Sequence, residues 1–164
     1  KERGLTGVQL VISDGHRGIQ AAVASAFIGA SWQMCQVHTT RAVLKNVPKK
    51  DQRVIADNLR DAYGSEQRLQ DCADDLAARG YTRAATTIER LLPWLLNYTA
   101  FPKEHGRRIR TTNVLERINK ELKRRTRIVG AFPSENALLR LTGSILRDIN
   151  EEWVTGKRYL QMEE

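Results

Sequence analysis

Cysteine is nearly missing from this chain: Cys35 and Cys72 are the only two among 164 residues. Two isolated thiols exclude a disulfide framework and suit a reducing cytoplasm, which is the expected compartment. No apolar run approaches the length of a membrane span, and no charged, apolar and small-residue leader opens the chain. The first residue is Lys1 rather than methionine, and a strand pattern follows almost at once, which suggests that something has been removed upstream. Repeats and low-complexity tracts are lacking as well, so neither a solenoid nor a solvated tail is indicated. Histidine is also scarce, with three in the chain. Cys35-Gln-Val-His38 has no second Cys or His pair at finger spacing, so it falls short of a four-ligand zinc centre. Read alone, Cys35 is most simply a small buried hydrophobe.

Acidic residues run short in one place where basic ones are dense. Residues 103 to 127 hold ten Lys and Arg against three Glu, a net +7 out of +8 for the whole chain. Charge this concentrated points to a phosphate-rich partner, most simply nucleic acid. From Asn113 the stretch reads as a helix, with Thr112 or Asn113 as its cap and Val114, Leu115, Ile118 and Leu122 as a buried stripe. Asn113, Glu116, Lys120, Lys123 and Arg127 then share another face. Two readings of Glu116 are open. Asn113 and Glu116 form a capping box and Glu116 pairs with Lys120, or Glu116 is a metal-binding carboxylate among cations that grip a polyphosphate backbone.

The length allows one domain with a real core. Residues 8 to 13, Val-Gln-Leu-Val-Ile-Ser, form a short apolar run typical of a strand buried on both faces. The run ends on Asp14, and Gly15 to Gly18 turn the chain into a helix from Ile19 to Phe27. A carboxylate at the carboxyl end of a buried strand is where open α/β sheets hold ligands, although Asp14 could equally cap the helix that follows. After Gly29, Ser31 to Val37 alternates as a second strand, carrying Cys35 and His38. Helical periodicity then takes over. Val54, Ile55, Leu59 and Ala62 mark one helix, Leu69 to Ala77 a second closed by Gly80, and Ala84 to Leu95 a third. Beyond the basic stretch, Gly130 and Pro133 precede a last amphipathic helix with Leu138, Leu141, Ile145, Ile149 and Trp153 on one face. The expected organisation is a βαβ-like segment at 1–44, a helical insertion at 45–106 and two closing helices at 107–164.

Three ordered motifs now converge. Val-Ile-Ser-Asp14-Gly-His-Arg-Gly-Ile, Trp32-Gln-Met-Cys35-Gln-Val-His38 and Thr111-Thr-Asn-Val-Leu-Glu116-Arg-Ile-Asn-Lys-Glu-Leu-Lys123-Arg-Arg closely resemble the Mutator-type transposases of bacterial insertion sequences. The resemblance covers nearly the whole chain. It implies an α/β, RNase H-like catalytic core of the DDE class, with about two strands present here, a large all-α insertion and a predominantly helical chain overall. By the same resemblance Asp14 matches the second acidic residue and Glu116 the third, so these two are the expected catalytic and metal-binding residues. Lys123 resembles a basic residue that contacts DNA near the scissile end, and Cys35 and His38 match a Cys-x-x-His element whose role stays open. Arg107, Arg108, Arg110, Asn113, Lys120, Lys123, Arg124 and Arg127 are the expected DNA-binding residues.

The implied reaction is DNA cleavage and strand transfer, with Mg²⁺ or Mn²⁺ as cofactor. Two cations about 4 Å apart would assist an in-line phosphoryl transfer, held by hard carboxylate oxygens. The implied partners are the terminal inverted repeats and the target DNA, and the intact enzyme is expected to form a homo-oligomer. The family's first Asp has no counterpart, since only Glu2 precedes Asp14. This chain alone is therefore expected to be inert, and its two-stranded sheet is expected to have open edges. Two alternatives stand beside this reading: a non-catalytic basic DNA-binding module, and an interaction remnant that pairs with an intact transposase.

Overall fold

The computed structural model describes residues 4–156. Two strands begin the fold: β1 (Leu10–Ser13) and β2 (Ser31–Met34), joined by α1 (Arg17–Ala26) and paired in parallel with Leu10 opposite Ser31 and Ser13 opposite Met34. Helices dominate the remainder: α2 (Gln36–Leu44), α3 (Gln52–Ala62), α4 (Glu66–Ala78), α5 (Thr82–Leu91), α6 (Lys103–Ile109), α7 (Asn113–Val129) and α8 (Glu135–Thr155). Short 3₁₀ turns at Leu92–Trp94 and Asn97–Ala100 link α5 to α6. Among the described residues the chain thus carries two strands and is mostly helical, as expected. None of the helices among the described residues is long and apolar enough to cross a membrane.

The chain divides into two compact units, the first running to Thr112 and the second starting at Asn113. In the first unit one core joins sheet and helices: Trp32 and Met34 of β2 pack in a cluster with Val43, Ile55, Leu59, Leu69, Leu76, Ile88 and Leu95. The helical residues of this set recur at three- and four-residue spacing, which is why their periodicity could be read in advance. Position 54 departs from it, since Val54 is 55 % exposed.

Several local expectations are corrected. The second strand stops at Met34 instead of Val37, because Cys35 turns the chain and the Gln36 N–H bonds the Arg110 carbonyl at 3.0 Å rather than a strand. Residues 36 to 44 are helix, so His38 lies on α2. The first helix starts at Arg17, two residues early, because His16 caps it: its Nδ1 accepts the Gly18 N–H at 3.2 Å. Asp14 is therefore not the cap. The third helix of the insertion ends at Leu91, since Pro93 lacks the N–H that a continuing helix needs, and the chain tightens into a 3₁₀ turn.

The sheet does not have two open edges. In this register Trp32 and Met34 point their backbone groups away from β1. The Asn97 amide donates to the Trp32 carbonyl at 2.6 Å, and the buried Gln33 amide donates to the Met34 carbonyl at 2.8 Å and the Leu95 carbonyl at 2.9 Å. Side chains and the 3₁₀ segment thus cover β2. The outer edge of β1 carries no strand among the described residues.

In the second unit α7 and α8 pack on one another. On α8 the expected face holds: Ile145 is buried, and Leu138, Leu141, Ile149 and Trp153 are half-buried. The stripe expected on α7 is only partly present. Val114, Ile118 and Leu122 are half-buried, whereas Leu115 is 57 % exposed.

Candidate functional site

The carboxyl end of β1 is held by a chain of hydrogen bonds. The Trp32 indole N–H donates to Ser13 Oγ at 2.8 Å, and that hydroxyl donates to the Asp14 carbonyl at 2.8 Å. Asp14 follows with its side chain in solvent, where Oδ1 accepts the His16 N–H at 3.3 Å. A cleft of about 500 Å³ opens there, lined by Asp14, His16, Arg17, His38, Arg90 and Trp94 among others. Parts of the chain 80 residues apart meet around one carboxylate, because α2 packs against α5. Asp14, Arg17 and Arg90 form no ion pair among the described residues. Since His16 Nδ1 is used as an acceptor, the proton of its neutral ring sits on Nε2.

The Cys-x-x-His element divides between two tasks. His38 reaches the Asp14 cleft. Cys35, fully buried, faces elsewhere: its Sγ accepts the Thr112 N–H and the Thr112 hydroxyl, each at 3.4 Å. Together with the bond from Gln36 N–H to the Arg110 carbonyl, this fastens the segment 110–112 to the end of β2. Gln36 in turn is held by Tyr63, whose hydroxyl donates to the Gln36 carbonyl at 3.0 Å and whose pKa burial pushes up to about 12.

The other expected residues are placed as follows. Arg107 and Arg108 occupy the last turn of α6, and Arg110 ends that helix. Asn113 opens α7 and is exposed, and Glu116, in its first turn, is exposed too. Glu116, Asn119, Lys120, Lys123, Arg124 and Arg127 line one shallow groove, so the carboxylate and four of the expected cations do share a face. Glu121 lies beside it, bridging Arg124 (2.8 Å) and Arg125 (2.8 Å). Hydrogen bonds from Arg124 and then Arg125 hold its carboxyl down to about 2.

Sequence reasoning missed Arg90 and Trp94. Arg90 carries no motif signal, and only its phase on α5, outside the buried Ala84, Ala85, Ile88 and Leu91, marks it as surface. As a metal ligand, Asp14 suits a hard cation: it is an exposed oxygen donor with one described hydrogen bond. Among the described residues, however, no three His, Cys, Asp or Glu side chains gather to hold a metal ion. The residues present supply single carboxylate ligands and no complete shell.

Residues 1–156 match the family model described as Transposase, Mutator family. The chain is 35 % identical over 170 residues to the transposase for insertion sequence element ISRM5 of Rhizobium meliloti (strain 1021), covering 100 % of this chain and 42 % of that protein. It is 39 % identical over 166 residues to the transposase for IS406 of Burkholderia multivorans, with 96 % and 42 % covered. Against the transposase for IS256 in transposon Tn4001 of Staphylococcus aureus it is 32 % identical over 165 residues, again with 96 % and 42 % covered. The chain therefore spans about two-fifths of the length of these relatives.

Proposed function

Because this chain belongs to the Mutator family of transposases, we propose that it supplies the second and third carboxylates, Asp14 and Glu116, of a DDE-type core that cleaves and transfers DNA strands. One observation carries the reading most directly: Asp14 is an exposed carboxylate at the carboxyl end of a parallel strand, in a cleft whose guanidinium groups form no ion pair among the described residues. Beyond the His16 N–H that it accepts, the Asp14 carboxylate is open to solvent.

The unpaired edge of β1 supports an RNase H-like arrangement. A further parallel strand added there would run about 5 Å from β1 and bring its own carboxyl end beside Asp14. That is where the family's first carboxylate would stand. When bound there, Mg²⁺ or Mn²⁺ would supply the charge that activates a water or 3′-hydroxyl and stabilises the leaving oxygen. The chain's own residues do the rest. Asp14 and Glu116 offer hard oxygen ligands, and Lys120, Lys123, Arg124 and Arg127 neutralise backbone phosphates along α7. The DNA bound would be the ends of the element and its target.

A second reading, a basic DNA-binding module without chemistry, is favoured by the groove on α7, which would bind a phosphate backbone with or without metal. The two separate on one experiment. In a chain extended at its N-terminus to the length of its relatives, Asp14→Asn and Glu116→Gln abolish metal-dependent strand cleavage and spare DNA binding. DNA binding without metal-dependent cleavage by the unsubstituted extended chain leaves the binding-module reading, and cleavage that survives both substitutions contradicts the assignment of Asp14 and Glu116.

A further inference from the structure

We propose that the cleft beside Asp14 is itself a binding site for a DNA backbone phosphate, gripped by Arg90 from the helical insertion together with Arg17 at the start of α1. The inference rests on the transposase reading and deepens it, because it gives the insertion a direct part in holding the substrate. Basic residues of the 107–127 stretch were the expected DNA contacts, and neither Arg17 nor Arg90 belongs to it.

Six observations carry it. Arg17 and Arg90 are exposed, line the same cleft, and form no ion pair among the described residues. Two guanidinium groups face one carboxylate, so the cleft has a positive balance before either histidine is counted. Guanidinium forks match phosphate oxygens in pairs, whereas a cleft built for a cation alone would gather acidic ligands, which this one does not. The third donor is His16, whose cap bond leaves Nε2–H free to donate. The ten-residue helix α1 also starts at this cleft and turns its positive end toward it. A cleft of about 500 Å³ that is open to solvent suits a stretch of strand passing through better than an enclosed small molecule.

The arrangement has a chemical consequence. A phosphate held by Arg17 and Arg90 lies beside the Asp14 carboxylate, where anion and carboxylate repel unless cations outnumber them. The insertion supplies part of that surplus. Arg90 is thus a positioning residue for the strand whose bond is cut.

The test measures how the 164-residue chain binds a fluorescently labelled DNA duplex by anisotropy across a salt series. Arg90→Ala and Arg17→Ala each lower the slope of log affinity against log salt by about one and weaken binding several-fold at low salt. Arg90→Lys keeps the slope, since the charge remains. Circular dichroism of each variant controls for folding, and Arg90 is an exposed residue whose exchange for Lys leaves the core untouched. If the chain binds with a steep slope that Arg17→Ala and Arg90→Ala leave intact, while Lys120→Ala and Lys123→Ala reduce it, the cleft is not a phosphate site and the transposase reading stands. If the wild-type chain does not bind DNA at all, both fail.

Discussion

The Asp14 carboxylate owes its exposure and its position to Ser13. That hydroxyl accepts the buried Trp32 indole N–H and donates to the Asp14 carbonyl, so the last residue of β1 is fixed from both sides while the next side chain enters solvent. Ser13→Ala removes the acceptor and leaves an indole N–H buried without a partner, which costs about 1–3 kcal/mol. Urea denaturation checks this, and a loss below about 0.5 kcal/mol would show that water replaces the bond. Glu121 presents the converse case. Its carboxylate binds two arginines that face the same groove as Glu116 or its flank, and so withholds them from other anions. Glu121→Gln is expected to release Arg124 and Arg125, raise affinity for duplex DNA, and steepen its salt dependence. Because the folded pKa is depressed from 4.5 to about 2, whatever this pair contributes to α7 is fully present above the ordinary carboxylate range. It is lost only as pH falls through about 2, and a carboxyl titration by NMR should show Glu121 as the late titrant.

Between elements, the contact that matters most is the one from Cys35 to Thr112. Cys35 stands where β2 becomes α2, so a fully buried sulfur fastens Thr112, the last residue of the first unit, to the end of β2. Cys35→Ala deletes the acceptor and leaves a small void, with an expected loss of about 1–2 kcal/mol. Cys35→Ser keeps an acceptor and should recover part of it. Equal stability of the two variants in denaturant melts would mean that the sulfur only fills space. Elements were legible in the sequence where periodicity was strong. Ile55 and Leu59 on α3, Leu69 and Leu76 on α4, and the Leu138-to-Trp153 face of α8 all fell at helical spacing and turned inward. Legibility failed where tertiary contacts override pattern. Val37 and His38 continue an alternating run, yet the chain leaves the sheet at Cys35 because Arg110 and Thr112 take its hydrogen bonds. Leu115 fits the apolar stripe of α7 and is exposed.

At the scale of the molecule, the candidate site was half legible. Asp14 could be read from an apolar run ending on an acid before a glycine turn, although that run, expected over 8–13 and buried on both faces, is a strand only from Leu10 and is half-buried over Leu10–Ile12. Glu116 was marked by its isolation among cations. Arg90 and Trp94 could not, because only the packing of α2 on α5 brings them to Asp14, and no local pattern encodes that. The central claim is that Asp14 is a metal-binding carboxylate of a strand-cleaving enzyme. Its most direct test is Mg²⁺-dependent nicking of a labelled insertion-sequence end, run on this chain, on the chain extended at its N-terminus to the length of its relatives, and on the extended chain with Asp14→Asn. The expected result is cutting by the extended chain alone, abolished by the substitution while DNA binding persists. Cutting that survives Asp14→Asn would contradict the assignment.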